Sequence, residues 1–319
     1  MKTILKSGLF LLVFTTVMST HIQSRETVTI ASGGVAGVYF PTAVAICKLM
    51  HRSNYTNTRC KPSSTAGSIY NIDQLRNQTF DFALAQSDSQ YMAISGDSSF
   101  KDHSPYVQLR SVMSLYSEPY TVLVKNNSDY QSFNDLKGSR VNFGSAGTGQ
   151  HSTSKLLLEL SGWTEADLKH AKTLPSDRQS RALCSGKIDA MIYIVGHPSD
   201  AVNEAIKLCG ARLLPIEEVT VNRLINKYPF YKEVTIPGNS YQNNKKDITT
   251  FGVAATLLTD SKVSDDIVYH LVDAIFENLA IFKKLHPALG LLEPSEMTSD
   301  ALTAPMHPGA KKYYQEKGS

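Results

Sequence analysis

Hydrophobic residues along the chain fall into two patterns: short unbroken runs, and runs spaced three and four apart. Val28 to Ala31 is the first unbroken run and predicts a strand that opens into Ser32-Gly33-Gly34 and Gly37. After Pro41, residues Val44, Ala45, Cys47, Leu49 and Met50 suit a helix with the proline in its first turn. Ile69, Ile72 and Leu75 sit on one helical face behind the polar stretch Ser63-Ser64-Thr65-Ala66-Gly67-Ser68. Asp81 to Gln86 carries Phe82, Ala83, Leu84 and Ala85 in succession, the pattern of a strand buried on both faces. The predicted order over this first stretch is strand, loop, helix, loop, helix, loop, strand.

The pattern recurs downstream. Arg140 to Phe143 is a strand, 144–149 is a loop, and Leu156, Leu157 and Leu160 belong to a helix. Asp189 to Val195 is another buried strand, closed by Gly196-His197-Pro198. Strands alternating with helices in two such groups predict an α/β architecture with mostly parallel sheets. Tyr120 to Val124 joins the groups, and Thr249 to Ala254 is a return strand, so two strands crossing between two lobes would form a hinge. The expected division is 1–24 as an export segment, 25–122 with 249–319 as the first lobe, and 123–248 as the second. Near the end, one long helix is predicted. Ser264 is its N-cap, Asp265 and Asp266 lie in its first turn, and Ile267, Leu271, Ile275, Phe276, Leu279 and Phe282 form its apolar face. Lys283 and Lys284 close it, and Pro287 stops it.

The 1–24 assignment rests on Lys2 and Lys6, an apolar stretch from Leu9 to Met18, and small and polar residues through Ser24. These are the three regions of a cleavable secretory signal. The apolar stretch is about half of the ~20 residues a spanning helix needs. The expectation is a periplasmic or secreted protein. Removing 1–24 takes away two lysines and no acid, so the formal charge of +3 falls further. Such a balance, with scattered basic residues, does not point to nucleic acid as a partner. Export also changes the reading of Cys47, Cys60, Cys184 and Cys209, which can pair in an oxidising compartment. Pairing by neighbours, Cys47 with Cys60 and Cys184 with Cys209, is the simplest scheme. Spacing alone does not fix the connectivity, and four buried thiols are the alternative.

Three loops of small residues (32–37, 63–68 and 144–149) each lead into a helix. Gly and Ser let backbone N–H groups approach a ligand, and helix N-termini carry partial positive charge, so such loops suit a carboxylate or phosphate. None carries a nucleotide motif: 33–37 lacks the dinucleotide spacing, and 144–149 lacks the Gly-Lys-Ser/Thr ending of a P-loop. Each loop alone reads as an ordinary turn; three at strand–helix junctions suggest a shared anion site at the strand carboxyl ends. Ser152-Thr153-Ser154-Lys155 fits a Ser-x-x-Lys nucleophile pattern, but no Lys-Thr-Gly or Ser-Asp-Asn accompanies it. Asp88 and Glu118 could form a carboxylate pair, although each reads more simply as a hydrogen-bonding or hinge residue. Tyr39, Tyr116 and Tyr193 stand beside strand signals, where a ring walls a cavity and its hydroxyl bonds a ligand, or else packs in the core. No metal or cofactor is expected, and no enzymatic activity.

Several motifs together resemble one family. Ser32-Gly33-Gly34-Val35-Ala36-Gly37-Val38-Tyr39-Phe40-Pro41 is similar to the opening signature of TAXI proteins, the substrate-binding receptors of one branch of TRAP transporters. Thr65-Ala66-Gly67-Ser68 with Asn71 and Leu75, Asp81 through Asp88, and Leu115-Tyr116-Ser117-Glu118-Pro119 follow in the family's order. So do Asp135-Leu136-Lys137-Gly138, Gly186 through Ala190, Gly196-His197-Pro198, and Ala304 through Ala310 with Tyr313, Tyr314 and Glu316. The resemblance covers essentially all of the chain after the export segment. Two departures are Ala31-Ser32, where the family commonly has Gly-Thr, and a 144–149 loop without the common Gly-Pro-Pro.

The resemblance implies a type II periplasmic-binding-protein fold, two α/β lobes joined by a two-strand hinge with a ligand in the cleft. It implies a small organic anion such as glutamate or 2-oxoglutarate as cargo, handed by a monomeric receptor to an integral-membrane TRAP subunit. The neighbour pairing of the cysteines is also common in that family. The expected ligand residues are Gly34, Tyr39, Ser64, Thr65, Ser68, Asn71, Gln86 and Tyr116 from the first lobe, and Ser145, Gly147, Thr148, Gly149 and Tyr193 from the second. A ligand sensor or surface protein on the same fold, uncoupled from transport, is the alternative.

Overall fold

The computed structural model describes residues 26–318 apart from 54, 56, 57 and 229. The predicted export segment therefore lies outside the described residues. The strands are β1 (Glu26–Ala31), β2 (Thr58–Ser63), β3 (Phe82–Gln86), β4 (Leu109–Val124) and β5 (Arg140–Asn142), then β6 (His170–Lys172), β7 (Ala190–Ile194), β8 (Arg212–Leu214), β9 (Lys232–Ile236) and β10 (Ile248–Asp260). The helices are α1 (Tyr39–Arg52), α2 (Ser68–Arg76), α3 (Ser87–Ser95), α4 (Gly149–Leu160), α5 (Ser176–Cys184) and α6 (Asp200–Cys209), then α7 (Glu218–Lys227), α8 (Asp265–Phe276), α9 (Leu279–Leu285), α10 (Pro294–Ser299) and α11 (Pro308–Lys317).

Hydrogen bonding runs β2-β1-β3-β10-β4-β7-β5-β6, with β8 added to β4 and β9 to β10. β1 is parallel to β2 and β3, and β5 is parallel to β6 and β7, the arrangement that strand–helix alternation predicts. The two long strands run against this grain. β10 is antiparallel to β3 and to the first part of β4, whereas the last five residues of β4, Tyr120–Val124, pair with β7. One chain segment thus leaves one lobe and enters the other inside a single strand, and the result is a two-lobed mixed α/β fold.

The continuous apolar strands are explained by burial on both faces. In β3, Phe82 and Leu84 enter one hydrophobic cluster, while Ala83 and Ala85 enter the other. In β7, Met191 and Tyr193 face the first cluster and Ala190, Ile192 and Ile194 the second. Alternate side chains serve opposite faces, and helices cover both.

Two features differ from expectation. Between α1 and α2, where the residue pattern predicts a loop, lies β2. It is the edge strand of its lobe, bonded only to β1 among the described residues, so Lys61, Pro62 and Ser63 are tolerated there. The single predicted tail helix is two helices, α8 and α9, broken at Glu277 and Asn278. The Asn278 side-chain amide donates to the Ala274 carbonyl (3.0 Å), while its backbone N–H bonds the Ile275 carbonyl in a tighter turn (3.2 Å). Both cysteine pairs are bonded as neighbours: Cys47 of α1 with Cys60 of β2, and Cys184 of α5 with Cys209 of α6.

Candidate functional site

The lobes meet over a cleft of about 320 Å³. Its walls come from loops at the carboxyl ends of strands: 33–39 after β1, 65–68 after β2, Gln86 ending β3, 144–150 after β5, 175–176 after β6 and 193–195 at the end of β7. Each of these loops except the last leads at once into a helix. Tyr39, Ser68, Gly149 and Ser176 are the first residues of α1, α2, α4 and α5, and Gln86 directly precedes α3. Five helix N-termini therefore border one small volume. The backbone N–H groups of Ser68, Gly149, Gln150 and Ser176, which a helix's first turn leaves without intrahelical partners, have no protein acceptor among the described residues.

Of the thirteen residues expected at the ligand, nine line this cleft: Gly34, Tyr39, Thr65, Ser68, Gln86, Ser145, Thr148, Gly149 and Tyr193. Four do not. Ser64 is exposed outside the cleft, and its hydroxyl donates to the Gly33 carbonyl (2.9 Å). Asn71 is fully buried, and its amide ties the Ser32 carbonyl (2.5 Å) to the Leu84 carbonyl (2.7 Å), so it fixes the shape of the loop from beneath. Tyr116 is buried against Gly196, whose missing side chain makes room for the ring. Gly147 turns its carbonyl to the Tyr70 N–H of the other lobe (3.2 Å). Thr148 lines the cleft, but its hydroxyl serves α4: it donates to the Ser145 carbonyl (2.7 Å) and accepts from His151 N–H (3.1 Å) as the N-cap.

The lobes are in direct contact around the cleft. A Cβ at Gly149 would collide with Gln86 Oε1 and come within 3.0 Å of Ser68 Oγ, both across the cleft. Thr153 of α4 donates to the Asp88 carboxylate of α3 (2.6 Å), and Tyr231 donates to the same oxygen (2.9 Å). Burial raises the Asp88 pKa above the usual carboxylate range, and the hydrogen bonds from Thr153, Tyr231 and Ser89 oppose that rise. Ser152, the first residue of the Ser-x-x-Lys pattern, has its hydroxyl 2.7 Å from that of Ser99, while Lys155 pairs with Glu165 (3.5 Å). Each is engaged elsewhere, so the pattern assembles no nucleophile.

Sequence reasoning missed part of the wall. Pro175 and Ser176 follow β6, a three-residue strand too short to leave a pattern. Gln150 lies within α4, and its amide is held by the Ile192 carbonyl (2.7 Å). Glu118, expected as a hydrogen-bonding or hinge residue, lines the cleft directly. It is 3% exposed and accepts a hydrogen bond from Tyr39 Oη (2.7 Å). Burial raises its pKa to about 8; the bond from Tyr39 opposes the shift and the nearby Asp88 adds to it. Among the described residues of the lining it is the one ionisable acid, and no Lys, Arg or His accompanies it.

Two α/β lobes closed over a cleft at the carboxyl ends of their strands make up the fold of periplasmic binding proteins. The chain belongs to the NMT1-like family, whose model matches residues 30–318. Among solved structures it is similar to MatC from Rhodopseudomonas palustris with bound malate, at 13% identity over 92% of this chain and 97% of that one, with a TM-score of 0.59. It is similar also to a protein of Bordetella bronchiseptica, at 12% identity over 93% and 99% of the two chains, with a TM-score of 0.55. The periplasmic aliphatic sulphonate binding protein SsuA from Escherichia coli matches at 14% identity over 91% and 83%, with a TM-score of 0.49. Among the described residues no helix is long and apolar enough to cross a membrane.

Proposed function

We propose that the protein is an extracytoplasmic solute-binding receptor that captures a small carboxylate by closing its lobes and passes it to a membrane transporter. The motifs similar to TAXI receptors make the integral-membrane subunit of a TRAP transporter the partner. The observation that carries the reading is the set of helix N-termini around one metabolite-sized cleft with no cationic side chain. Unpaired first-turn N–H groups favour an anion, and several of them together replace an Arg or Lys. A cavity at the small end of ligand sites fits a metabolite better than a peptide. We assign the moving lobes as 25–122 with 249–319 and as 123–248, the ligand being shared across β4 and β10. Ligand contacts from both sides exist only in the closed form, so binding shifts the population toward it. Two disulfides and a predicted export segment agree with a periplasmic or secreted location for a monomeric receptor.

A thermal-shift screen of organic acids and amino acids on residues 25–319 tests this. At least one acid should raise the midpoint, and Thr148→Trp, which fills the cleft beside α4, should abolish the shift. No response to any acid would refute the proposal.

A further inference from the structure

The cleft carries an unmatched acceptor as well as its donors. Glu118 Oε2 accepts the Tyr39 hydroxyl, and among the described residues this is the one hydrogen bond that its carboxyl group makes. Buried acceptors without partners are costly, and a carboxyl group inside a small cavity with no cation around it is more so. A simple dicarboxylate would satisfy the helix N-termini and leave Glu118 unmatched, with like charge brought toward it. A ligand that carries N–H donors on the carbon next to its carboxylate answers both halves of the lining.

Resting on the function proposed above, we infer that the ligand is a zwitterionic α-amino acid: its carboxylate lies on the helix N-termini, and Glu118 accepts its ammonium. Glu118 is then the residue that separates an amino acid from the corresponding 2-oxo acid, which has the same carboxylate but no cation to offer. This follows the rule that a site built to bond a polar group rejects the analogue lacking it.

The ionisation of Glu118 gives the inference a signature. The titratable groups facing it are Tyr39 on α1, Asp88 on α3, Tyr116 on its own strand and Tyr193 on β7. All three tyrosines are held neutral by burial, above their ordinary range. In the free cleft Glu118 is mostly protonated at pH 6 and about half ionised at pH 8. Pairing with an ammonium requires the ionised form, so binding releases a proton, and affinity for the amino acid rises by up to about 50-fold from pH 6 to pH 8. If Glu118 instead donated its proton to an anion, affinity would fall over the same interval.

The experiment is calorimetric titration with two matched pairs, L-glutamate with 2-oxoglutarate and L-leucine with 4-methyl-2-oxopentanoate. The titrations run at pH 6 and pH 8, in two buffers of different ionisation enthalpy. The expected result is that one amino acid binds more tightly than its oxo partner and releases close to one proton at pH 6. Glu118→Gln should lose about 30-fold or more for the amino acid and little for the oxo acid. Proton release is measured on the unaltered protein, so it decides the matter even if that variant fails to fold. Equal or tighter binding of the oxo acid, or affinity falling from pH 6 to pH 8, overturns this inference and leaves the carboxylate receptor standing. Binding of none of the four overturns this inference, while the carboxylate receptor falls only if the wider acid screen also gives no response.

Discussion

Gly149→Ala separates closure of the lobes from stability of the fold, because the two should move in opposite directions. Gly149 is the first residue of α4, and its backbone is outside the left-handed region, so alanine fits its conformation. Replacing glycine at such a site stabilises by about 0.4–1 kcal/mol, through the lower entropy of the unfolded chain. That corresponds to a midpoint about 1–4 °C higher for a chain of this size. The added Cβ meets nothing in its own lobe at comparably close range: its near contacts are Gln86 Oε1 and Ser68 Oγ, across the cleft. Gln86 is buried and cannot swing into solvent without opening the interface. Overpacking of this kind costs about 1–3 kcal/mol, charged here to the closed form alone. Ligand affinity should therefore fall about 5- to 150-fold. Melting of the ligand-free variant gives the first quantity, calorimetric titration with L-glutamate gives the second, and small-angle scattering of the ligand-free form should show a larger radius of gyration. A lowered melting point with unchanged scattering and affinity would refute the reasoning, since it would mean that Gly149 and Gln86 belong to one rigid body.

Two further outcomes follow from the same structure. The Cys184–Cys209 bond spans 25 residues, and loop-closure entropy puts its contribution at about 3.5 kcal/mol, so the double serine variant should unfold at clearly lower denaturant, and an unchanged midpoint would contradict that. His197 packs its ring nitrogens against Thr121 Oγ1 (2.8 Å) and Tyr241 Oη (2.6 Å), and burial lowers its pKa to about 4. The unfolded chain therefore binds the proton first as pH falls. The stability from neutral His197 is complete above about pH 6.5 and is lost progressively toward pH 4, by about 3 kcal/mol. His197→Gln should flatten stability across that interval, and an unaltered pH dependence would rule the histidine out as its cause.

What could be read without coordinates divides on physical lines. β3 and β7 were legible because a strand buried on both faces must be apolar throughout, and few other local structures need such a run. β2 was not, because an edge strand has a free side where Lys61 and Pro62 cost little. The break between α8 and α9 was hidden because its apolar spacing continues through Asn278; the side-chain bond to Ala274 that permits it leaves no periodic trace. In the cleft, Gly and Ser loops announced the walls, but sequence could not separate side chains that face the cavity from those that hold the loop. Asn71 and Ser64 look like ligand donors, yet their side chains bond the Ser32 and Gly33 carbonyls of the first loop. Glu118 stood out only as one of a possible carboxylate pair or as a hydrogen-bonding or hinge residue, in a strand that also carries Arg110, Ser111, Ser114 and Ser117. Its relation to the cleft depends on β4 and α1 being brought together across the fold, which no local pattern encodes.

The central claim is that a carboxylate sits on helix N-termini between the lobes, and a crystal structure of residues 25–319 with the tightest-binding acid of the screen tests it most directly. The account predicts carboxylate oxygens within hydrogen-bonding distance of the backbone N–H groups of Ser68, Gly149 or Gln150, with both lobes in contact with the ligand. An acid bound to one lobe alone, or outside the cleft, would contradict it.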